Sequence, residues 1–193
     1  MKKHIYLLLF ALILALPTFA QTGLKTGDKA PMFTAKDSNG NTIDLKSALK
    51  KHQAVLLLFY RGQWCPYCNK HIQQLQDSLS LLTAKNVMVV AVTPETGEAI
   101  NKTIEKTHAS FAMVHDEGYK IMKDYQVNFV MDEATVTKYK KYGVDLAVNN
   151  GNTDNVLPVP ATYLIDKSGK IKFVHFDKDY RKRASVKEIL SML

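Results

Sequence analysis

The sequence predicts an α/β protein whose central mixed β-sheet is flanked by helices. Two apolar runs, residues 54–59 and 87–92, have strand length and the branched side chains that suit parallel strands covered on both faces. A helical stripe lies between them, in which cysteine and aliphatic residues recur every three or four positions: Cys68, Ile72, Leu75, Leu79 and Leu82. A strand, a helix and a second strand in this order are typical of parallel sheets.

The next elements continue this pattern. Thr93 offers a helix cap, and Glu95 offers an acid in the first turn, which predicts a helix that ends near Lys106. After a further short strand and helix, residues 126–158 do not fit a minimal βα repeat. We interpret them as an insertion, with a polar, asparagine-rich loop at 149–155.

A hairpin and a helix complete the predicted domain. Strands at 162–165 and 171–176 are joined by a turn with glycine at its last position. Ser185 and Glu188 form a capping box that starts a C-terminal helix. The residues predicted to face inward from that helix are aliphatic: Val186, Ile189, Leu190 and Leu193.

The amino terminus has the features of a secretory signal peptide. Lys2 and Lys3 precede an apolar run at 5–16, and small residues lead to a predicted cleavage after Ala20. The run is shorter than the about 20 residues that span a bilayer. The prediction is therefore a signal peptide at 1–20 and one domain at 21–193, periplasmic or secreted, with no stable membrane anchor after cleavage.

Charge and compartment limit the predicted partners. The formal net charge of +8 falls to +6 without Lys2 and Lys3, and the basic clusters at 138–141 and 181–183 are short. No basic stripe is interleaved with aromatic residues, so we expect no nucleic-acid partner. An oxidising compartment drives dithiols toward disulfides, which implies a redox partner protein that supplies or accepts electrons.

The two cysteines of the chain form a Cys-Pro-Tyr-Cys motif between the first apolar run and the helical stripe. A helix that begins at the motif directs its unpaired N–H groups and positive dipole end at Cys65, which lowers the pKa of a thiol. We therefore predict that Cys65 is an accessible nucleophile and that Cys68, in the buried stripe, resolves the mixed disulfide. The expected redox group is the Cys65–Cys68 disulfide, with no bound cofactor or metal.

Three other interpretations of the motif remain open. A purely structural disulfide is possible, although so short a loop removes little entropy from the unfolded chain. Zinc needs two further ligands, and the histidines are scattered without paired spacing. The two cysteines could also be inert core residues.

The order of elements around Trp64-Cys65-Pro66-Tyr67-Cys68 resembles the thioredoxin fold. More narrowly, residues 27–33, the strand end at Phe59-Tyr60 and residues 159–166 resemble the peroxiredoxin-like branch of the AhpC/TSA family, over nearly all of the mature chain. The resemblance implies a thioredoxin-like domain with an N-terminal β extension. It also implies that Pro160 follows a cis Val159–Pro160 bond, packs against the dithiol and presents the backbone of Val159 to a substrate. The alternative is an ordinary trans proline that opens a strand.

Several positions depart from the patterns of these families. If Cys65 is the peroxide-reacting cysteine of peroxiredoxins, Leu58 and Gly62 replace the expected proline and threonine or serine. If Cys68 is, Arg61 and Cys65 replace them. Val159-Pro160 occupies the region of the late arginine.

Departures from thioredoxin-like reductases concern proton transfer. Phe59 replaces the buried acid of thioredoxins and cannot carry a proton. His71 occupies the place of a glutamate in some exported reductases, where it could deprotonate Cys68 or simply lie half-exposed on the helix side.

The residues that flank the cysteines are candidates for substrate binding. Trp64 and Tyr67 are expected to form an apolar surface for a partner, and the Pro66-Tyr67 pair is the one found in glutaredoxins. Arg61 is either a local cation that favours a thiolate or an ordinary surface arginine.

The first hypothesis for function is an exported thiol–disulfide oxidoreductase that acts in redox homeostasis on substrate disulfides. The alternative is a peroxiredoxin-like peroxidase that reduces hydroperoxides as an antioxidant. A third hypothesis, from a different class, is a redox-inert binding protein that uses the asparagine-rich insertion.

Overall fold

The computed structural model describes residues 23–193, so the predicted signal peptide and its cleavage site lie outside the described residues. In chain order, the elements are β1 (Thr34–Lys36), β2 (Thr42–Asp44), α1 (Leu45–Lys51), β3 (Ala54–Phe59), α2 (Pro66–Asp77), α3 (Leu79–Ala84), β4 (Val87–Thr93), α4 (Gly97–Thr107), β5 (Ala112–His115), α5 (Lys120–Asp124), β6 (Asn128–Val130), α6 (Glu133–Lys141), α7 (Leu146–Asn150), β7 (Val156–Pro158), β8 (Ala161–Asp166), β9 (Ile171–Phe176) and α8 (Val186–Ser191). A 3₁₀ turn, Glu117–Tyr119, precedes α5.

The central sheet is mixed and has the strand order β5-β4-β3-β8-β9. Strands β3, β4 and β5 are parallel, whereas β8 is antiparallel to both β3 and β9. The hairpin of β1 and β2 is the predicted N-terminal β extension, and the predicted α/β class is confirmed. Because β3 is the middle strand, its carboxyl end opens between two neighbours, and the cysteine motif follows directly from that end.

The two faces of the sheet bury separate apolar cores. Alternate residues of β3 point to opposite faces, so that Leu57 joins the core with Tyr125 and Tyr163, and Leu58 joins the core under α2. Both cysteines belong to the second core. The dithiol therefore lies at the inner face of a helix that packs on the sheet, where its surroundings are rigid and largely free of water.

Some predicted helix boundaries differ from the structure. The predicted stripe is divided at Ser78 into α2 and α3, and Leu79 is only partly buried. The last residue of the predicted inward face, Leu193, is 38 % exposed because α8 ends at Ser191. The capping box itself is present, with Ser185 and Glu188 bonded reciprocally.

Glu95 does not lie in the first turn of a helix, contrary to the prediction. Helix α4 begins at Gly97, because the side chain of Thr96 accepts the N–H of Ala99 and so provides the cap. The cap thus lies three residues later than Thr93. Glu95 turns inward and is fully buried.

The insertion forms a small layer beside the sheet. Strands β6 and β7 pair as an antiparallel ribbon, and α6 lies between them in sequence without burying a single residue. The ribbon continues to Val159, whose N–H donates to the carbonyl of Val127 at 2.7 Å. No helix within residues 23–193 combines the length and apolar character needed to cross a bilayer.

The prediction of a cis bond between Val159 and Pro160 is wrong, since the described residues contain no cis peptide bond. A trans bond is the ordinary preference before proline, by about 0.5–1 kcal/mol. The N–H of Val159 is also occupied within the ribbon, so this group is not free to pair with a substrate as predicted.

Candidate redox site

The two sulfur atoms lie side by side at the start of α2. Cys65 is the N-cap residue of that helix, Cys68 is in its first turn, and their Sγ atoms are 2.7 Å apart as free thiols. The carbonyl of Cys65 accepts the N–H groups of Cys68 and Asn69, which fixes the spacing of the pair. Pro66 is tolerated as the first helical residue because an N–H at that position has no partner inside a helix.

The predicted exposure of Cys65 is wrong, because both cysteines are only 1 % exposed. Cys65 nevertheless lines a hollow of about 200 Å³, whose wall is largely aromatic. Cys68 is not part of that wall and lies deeper, in the core under α2. Cys65 is therefore the cysteine nearer to a substrate, as predicted, although its side chain is buried rather than exposed to solvent.

Arg61 is a buried cation in the wall of the hollow, and the expectation of a surface arginine is wrong. Its guanidinium carbon lies 4.8 Å from the ring centroid of Trp64 and 4.4 Å from that of Tyr180. One of its terminal nitrogens donates to the hydroxyl of Tyr139 at 2.6 Å. Three aromatic rings thus hold the guanidinium beside Cys65. The hydrogen bond with Cys68 and burial raise the pKa of that thiol, and the charge of Arg61 opposes this rise only in part.

The aromatic wall extends to the protein surface. Tyr67 is 41 % exposed and its ring meets that of Tyr180 edge-on, with centroids 5.8 Å apart. Trp64 packs in the same manner against Tyr139 at 5.3 Å. Tyr139 and Tyr180 come from α6 and from the segment after β9. Neither was predicted to lie at the site, because only the fold brings them to the motif.

The ionisation of the pair also differs from the prediction. Burial raises the pKa of Cys68, but hydrogen bonds and charges from Cys65, Arg183 and the N–H of Arg61 outweigh burial and lower that pKa to about 6. The hydrogen bond with Cys68 and burial instead raise the pKa of Cys65. The first thiolate therefore forms on Cys68, and the remaining proton lies between the two sulfurs, which titrate as one unit.

Arg183 is a second cation at the dithiol, and the sequence analysis missed it. One terminal nitrogen of its guanidinium lies 3.4 Å from the Sγ of Cys68. The same side chain donates to the carbonyls of Tyr180 and Lys182, which fixes the guanidinium within the segment before α8. Peroxiredoxins carry a late arginine in the region that Val159 and Pro160 occupy here. In this chain Arg183, from the segment before α8, approaches a cysteine instead.

His71 is buried on the inner face of α2 rather than half-exposed. Burial, together with the nearby charges of Arg183 and His175, lowers the pKa of His71 to about 4. Its Nε2 atom has no hydrogen-bond partner among the described residues. A neutral imidazole in this place can accept a proton only weakly, and its role as the base for Cys68 stays a prediction.

Val159 and Pro160 line a second hollow of about 480 Å³ beside the first. Arg61, Tyr139 and Tyr180 line both hollows, so these three side chains form the partition between them. The predicted substrate-binding residues therefore line two hollows that share Arg61, and the packing of Pro160 against the dithiol stays a prediction.

The loop that leads to Cys65 is closed around the buried carboxyl of Glu95. The N–H of Gln63 donates to both oxygens of that carboxyl, at 2.9 and 2.8 Å. Gly62 has a φ of +154°, and a Cβ atom there would lie 2.5 Å from Glu95 Oε1 and 2.5 Å from Trp64 Nε1. Only glycine fits this position without a displacement of the loop.

We expect Gly62→Ala to lower the free energy of unfolding by about 2–4 kcal/mol, because the methyl group meets both neighbours and alanine is strained at this φ. Chemical denaturation measures the change. Gly97→Ala is the matched control, since a Cβ at the first residue of α4 meets nothing within 4 Å. Equal stability of the two variants would contradict the close packing of the loop on Glu95.

Comparison with known proteins agrees with this architecture. Residues 26–174 match the AhpC/TSA family. The chain belongs to the AhpC/TSA family. The thiol–disulfide oxidoreductase ResA of Bacillus thuringiensis is 26 % identical over 149 residues, which are 77 % of this chain and 68 % of ResA. The chloroplastic peroxiredoxin Q of Sedum lineare is 23 % identical over 167 residues, 86 % of this chain and 76 % of that protein.

The fold of this AhpC/TSA domain is shared with solved structures. The crystal structure of peroxidoxin BcpB from Mycobacterium tuberculosis superposes with a TM-score of 0.66 at 18 % identity. The match covers 88 % of this chain and 96 % of that one. The thioredoxin-like α/β fold inferred from the sequence is thereby confirmed.

Proposed function

We propose that this protein is an exported thiol–disulfide oxidoreductase. The observation that carries the proposal is the reduced pair itself, with two sulfurs 2.7 Å apart at the start of a helix and two arginines beside them. A pair with this spacing is well placed to close into a disulfide, and an ionised sulfur is the form that attacks another disulfide. The similarity to ResA supports this function over an inert role for the fold.

The steps follow from the different reach of the two sulfurs. With one proton removed from the pair, the other moves from Cys65 to Cys68 across their hydrogen bond, and the Cys65 thiolate attacks a substrate disulfide from the hollow. A mixed disulfide forms and one substrate thiolate leaves. Cys68 then gives up its proton and attacks the Cys65 sulfur, which forms the Cys65–Cys68 bond and releases the second thiolate. Two electrons pass from the pair to the substrate.

The partner that restores the dithiol is a second redox protein, and the aromatic wall is its proposed contact. Tyr67, Trp64 and Tyr180 give a partner segment an apolar surface next to Cys65. The periplasm, or the space outside the cell, is the proposed compartment, because residues 1–20 have the pattern of a signal peptide.

A peroxidase is the second candidate, and the cations at the sulfurs favour it. Arg61 and Arg183 flank the pair although the usual peroxide-binding signature is absent. In that reaction a thiolate attacks the hydroperoxide O–O bond, a sulfenic acid forms and an alcohol or water leaves. The other cysteine then displaces water from the sulfenic acid and closes the disulfide.

Two rates measured on the same preparation separate these functions. Reduced protein, residues 21–193, is mixed with a disulfide substrate such as insulin and, separately, with hydrogen peroxide. We expect fast exchange with the disulfide and a peroxide rate no greater than that of a free thiol of equal pKa. A much faster peroxide reaction would establish the peroxidase instead. A pair that reacts with neither would leave the binding protein as the remaining hypothesis.

A further inference from the structure

The carboxyl of Glu95 is a buried group that the steps above do not use. It lies two residues after the carboxyl end of β4 and is 0 % exposed. Its two oxygens accept the N–H of Gln63, two residues before Cys65, and the carbonyl of Gly62 accepts the N–H of Cys65 at 3.0 Å. The carboxyl therefore lies directly behind the loop that presents the nucleophile.

No cation pairs with this carboxyl among residues 23–193, because none of the ion pairs found there includes Glu95. The nearby ammonium of Lys106 is bonded to the carbonyl and side chain of Gln63 instead. A buried carboxylate without a counterion is unfavourable unless it takes up a proton. Burial is accordingly the main reason that the pKa of Glu95 is raised to about 8.

The groups that face Glu95 come from each neighbouring element. A negative charge on Cys68 raises the pKa of Glu95, and the charges of Lys106 and Lys102 on α4 lower it. His115, at the end of β5, bonds through Nδ1 to the Glu95 carbonyl at 2.7 Å. The hydroxyl of Tyr60, after β3, is buried without a hydrogen-bond partner among the described residues. The thiolate is thus the charge that changes during the redox cycle.

The geometry points to Glu95 as the group that stores a proton for the dithiol, taking it up when the pair is reduced and returning it when the disulfide forms. This inference rests on the proposed function, because it assigns the proton of the same exchange reaction. Phe59 cannot fill this role from β3, and Glu95 supplies a carboxyl from the adjacent strand end.

The proton and the electrons balance in the resolving step. Once Cys65 has attacked and Cys68 has become a neutral thiol, Glu95 gives its stored proton through solvent to the first leaving thiolate. As a carboxylate it then accepts the proton of the Cys68 thiol, and the Cys68 thiolate attacks the Cys65 sulfur of the mixed disulfide. The Cys65–Cys68 bond forms, the bond to the substrate breaks, and the substrate leaves as a thiolate that takes its proton from solvent. Glu95 then holds this proton less firmly and returns it to solvent, because the negative charge on Cys68, which adds to burial in favouring the protonated carboxyl, has been removed.

The pH dependence of the redox equilibrium gives the sign of the effect. Above about pH 6, Cys68 is a thiolate in the reduced protein, so reduction places one proton on Cys65. Below about pH 8, Glu95 takes a second proton in the reduced protein and holds it less well in the oxidised protein. Between these limits, one proton on Cys65 and part of a second on Glu95 accompany the two electrons, so reduction weakens by more than tenfold, toward a limit of about a hundredfold, for each pH unit.

The test is the reduction equilibrium of the pair from pH 5 to 9 in thiol redox buffers, read by alkylation of the free thiols, in the wild type and Glu95→Gln. Glutamine keeps the acceptor for Gln63 but takes no proton. We expect the dependence in the variant to fall toward tenfold per pH unit between pH 6 and 8. Glu98→Gln is the matched control, since that carboxyl is exposed and pairs with Lys102 at 2.9 Å.

The outcomes separate the inference from the proposed function. A pH dependence in Glu95→Gln equal to that of the wild type would overturn the role of Glu95 while leaving the oxidoreductase intact. A wild-type pair that forms no disulfide at any potential would overturn both. Should the variant fail to fold, the infrared difference spectrum of the wild type decides, because a protonated carboxyl band must appear on reduction and shift in protein made with ¹³C-labelled glutamate.

Discussion

Cys65→Ser should abolish disulfide exchange, and Cys68→Ser should leave the substrate covalently attached to the protein. Only Cys65 lines the hollow, so its sulfur makes the first bond, whereas the buried Cys68 is needed to break that bond. We expect a loss of at least about 10³-fold in insulin reduction for both variants, since each lacks one of two obligatory sulfurs. Mass spectrometry of the Cys68 variant after incubation with an aromatic disulfide should show the adduct.

The lower pKa of Cys68 makes this experiment discriminating. If the sulfur with the lower pKa were also the first to attack, Cys65→Ser would form the adduct and Cys68→Ser would not. The Cys65–Cys68 double variant is the control for attachment elsewhere, and thermal unfolding of each variant shows that the fold is kept. An adduct on Cys65→Ser alone would contradict the assignment of Cys65 as the nucleophile.

The fold was predictable because its signals are local. The apolar run at β3 and the capping box at Ser185 depend on neighbouring residues, and both appear in the structure at the predicted places. Helix α4 was placed too early because Thr93 and Thr96 can each cap a helix, and only the inward turn of Glu95 decides between them. A competition of this kind is settled by packing rather than by local preference.

The site was predictable only in part, because half of its chemistry comes from distant segments. The motif identifies Cys65, Trp64 and Tyr67, which lie together around the hollow. A signal for Glu95 did exist, since it follows the carboxyl end of a parallel strand beside the motif, where side chains of adjacent strands converge. No comparable signal marks Arg183, which lies 115 residues from Cys68 in sequence and reaches it through an irregular segment.

The ionisation of the pair was mispredicted for the same reason. The backbone N–H of Cys68, in the first turn of α2, does lower the pKa of Cys65, but the hydrogen bond with the Cys68 thiol and burial raise it more. Cys68 receives the guanidinium of Arg183 and the N–H of Arg61, and neither is visible in local sequence. Two sulfurs at 2.7 Å cannot both ionise near neutral pH, so the sulfur whose negative charge is better stabilised by hydrogen bonds and cations ionises first. The charge of Arg183 therefore stabilises a thiolate on Cys68 more than the N-terminus of α2 stabilises one on Cys65.

Arg183→Gln should raise the pKa of the Cys68 thiol by about 1–2 units, because the neighbouring cation that stabilises the thiolate is removed. The sign follows from the charge: with the thiolate less stable, the dithiol keeps its protons to higher pH, and alkylation and disulfide exchange at pH 6.5 slow by about tenfold. The variant should approach the wild-type rate above pH 8. The absorbance of the thiolate, followed against pH, measures the shift.

A second consequence distinguishes this charge effect from loss of a loop contact. Arg183 also lowers the pKa of His71, so the variant should titrate His71 at higher pH, a change visible in the NMR signal of its ring protons. Arg183→Lys keeps the charge and should keep most of both pKa values, even where its contacts with Tyr180 and Lys182 are lost. Arg181→Gln is the matched control, because that exposed guanidinium pairs with Asp179 at 2.8 Å. A destabilised Arg183→Gln variant with an unchanged thiolate pKa would mean that Arg183 only stabilises the segment before α8. The low pKa of the Cys68 thiol would then have to come from the N-terminus of α2 and from Arg61.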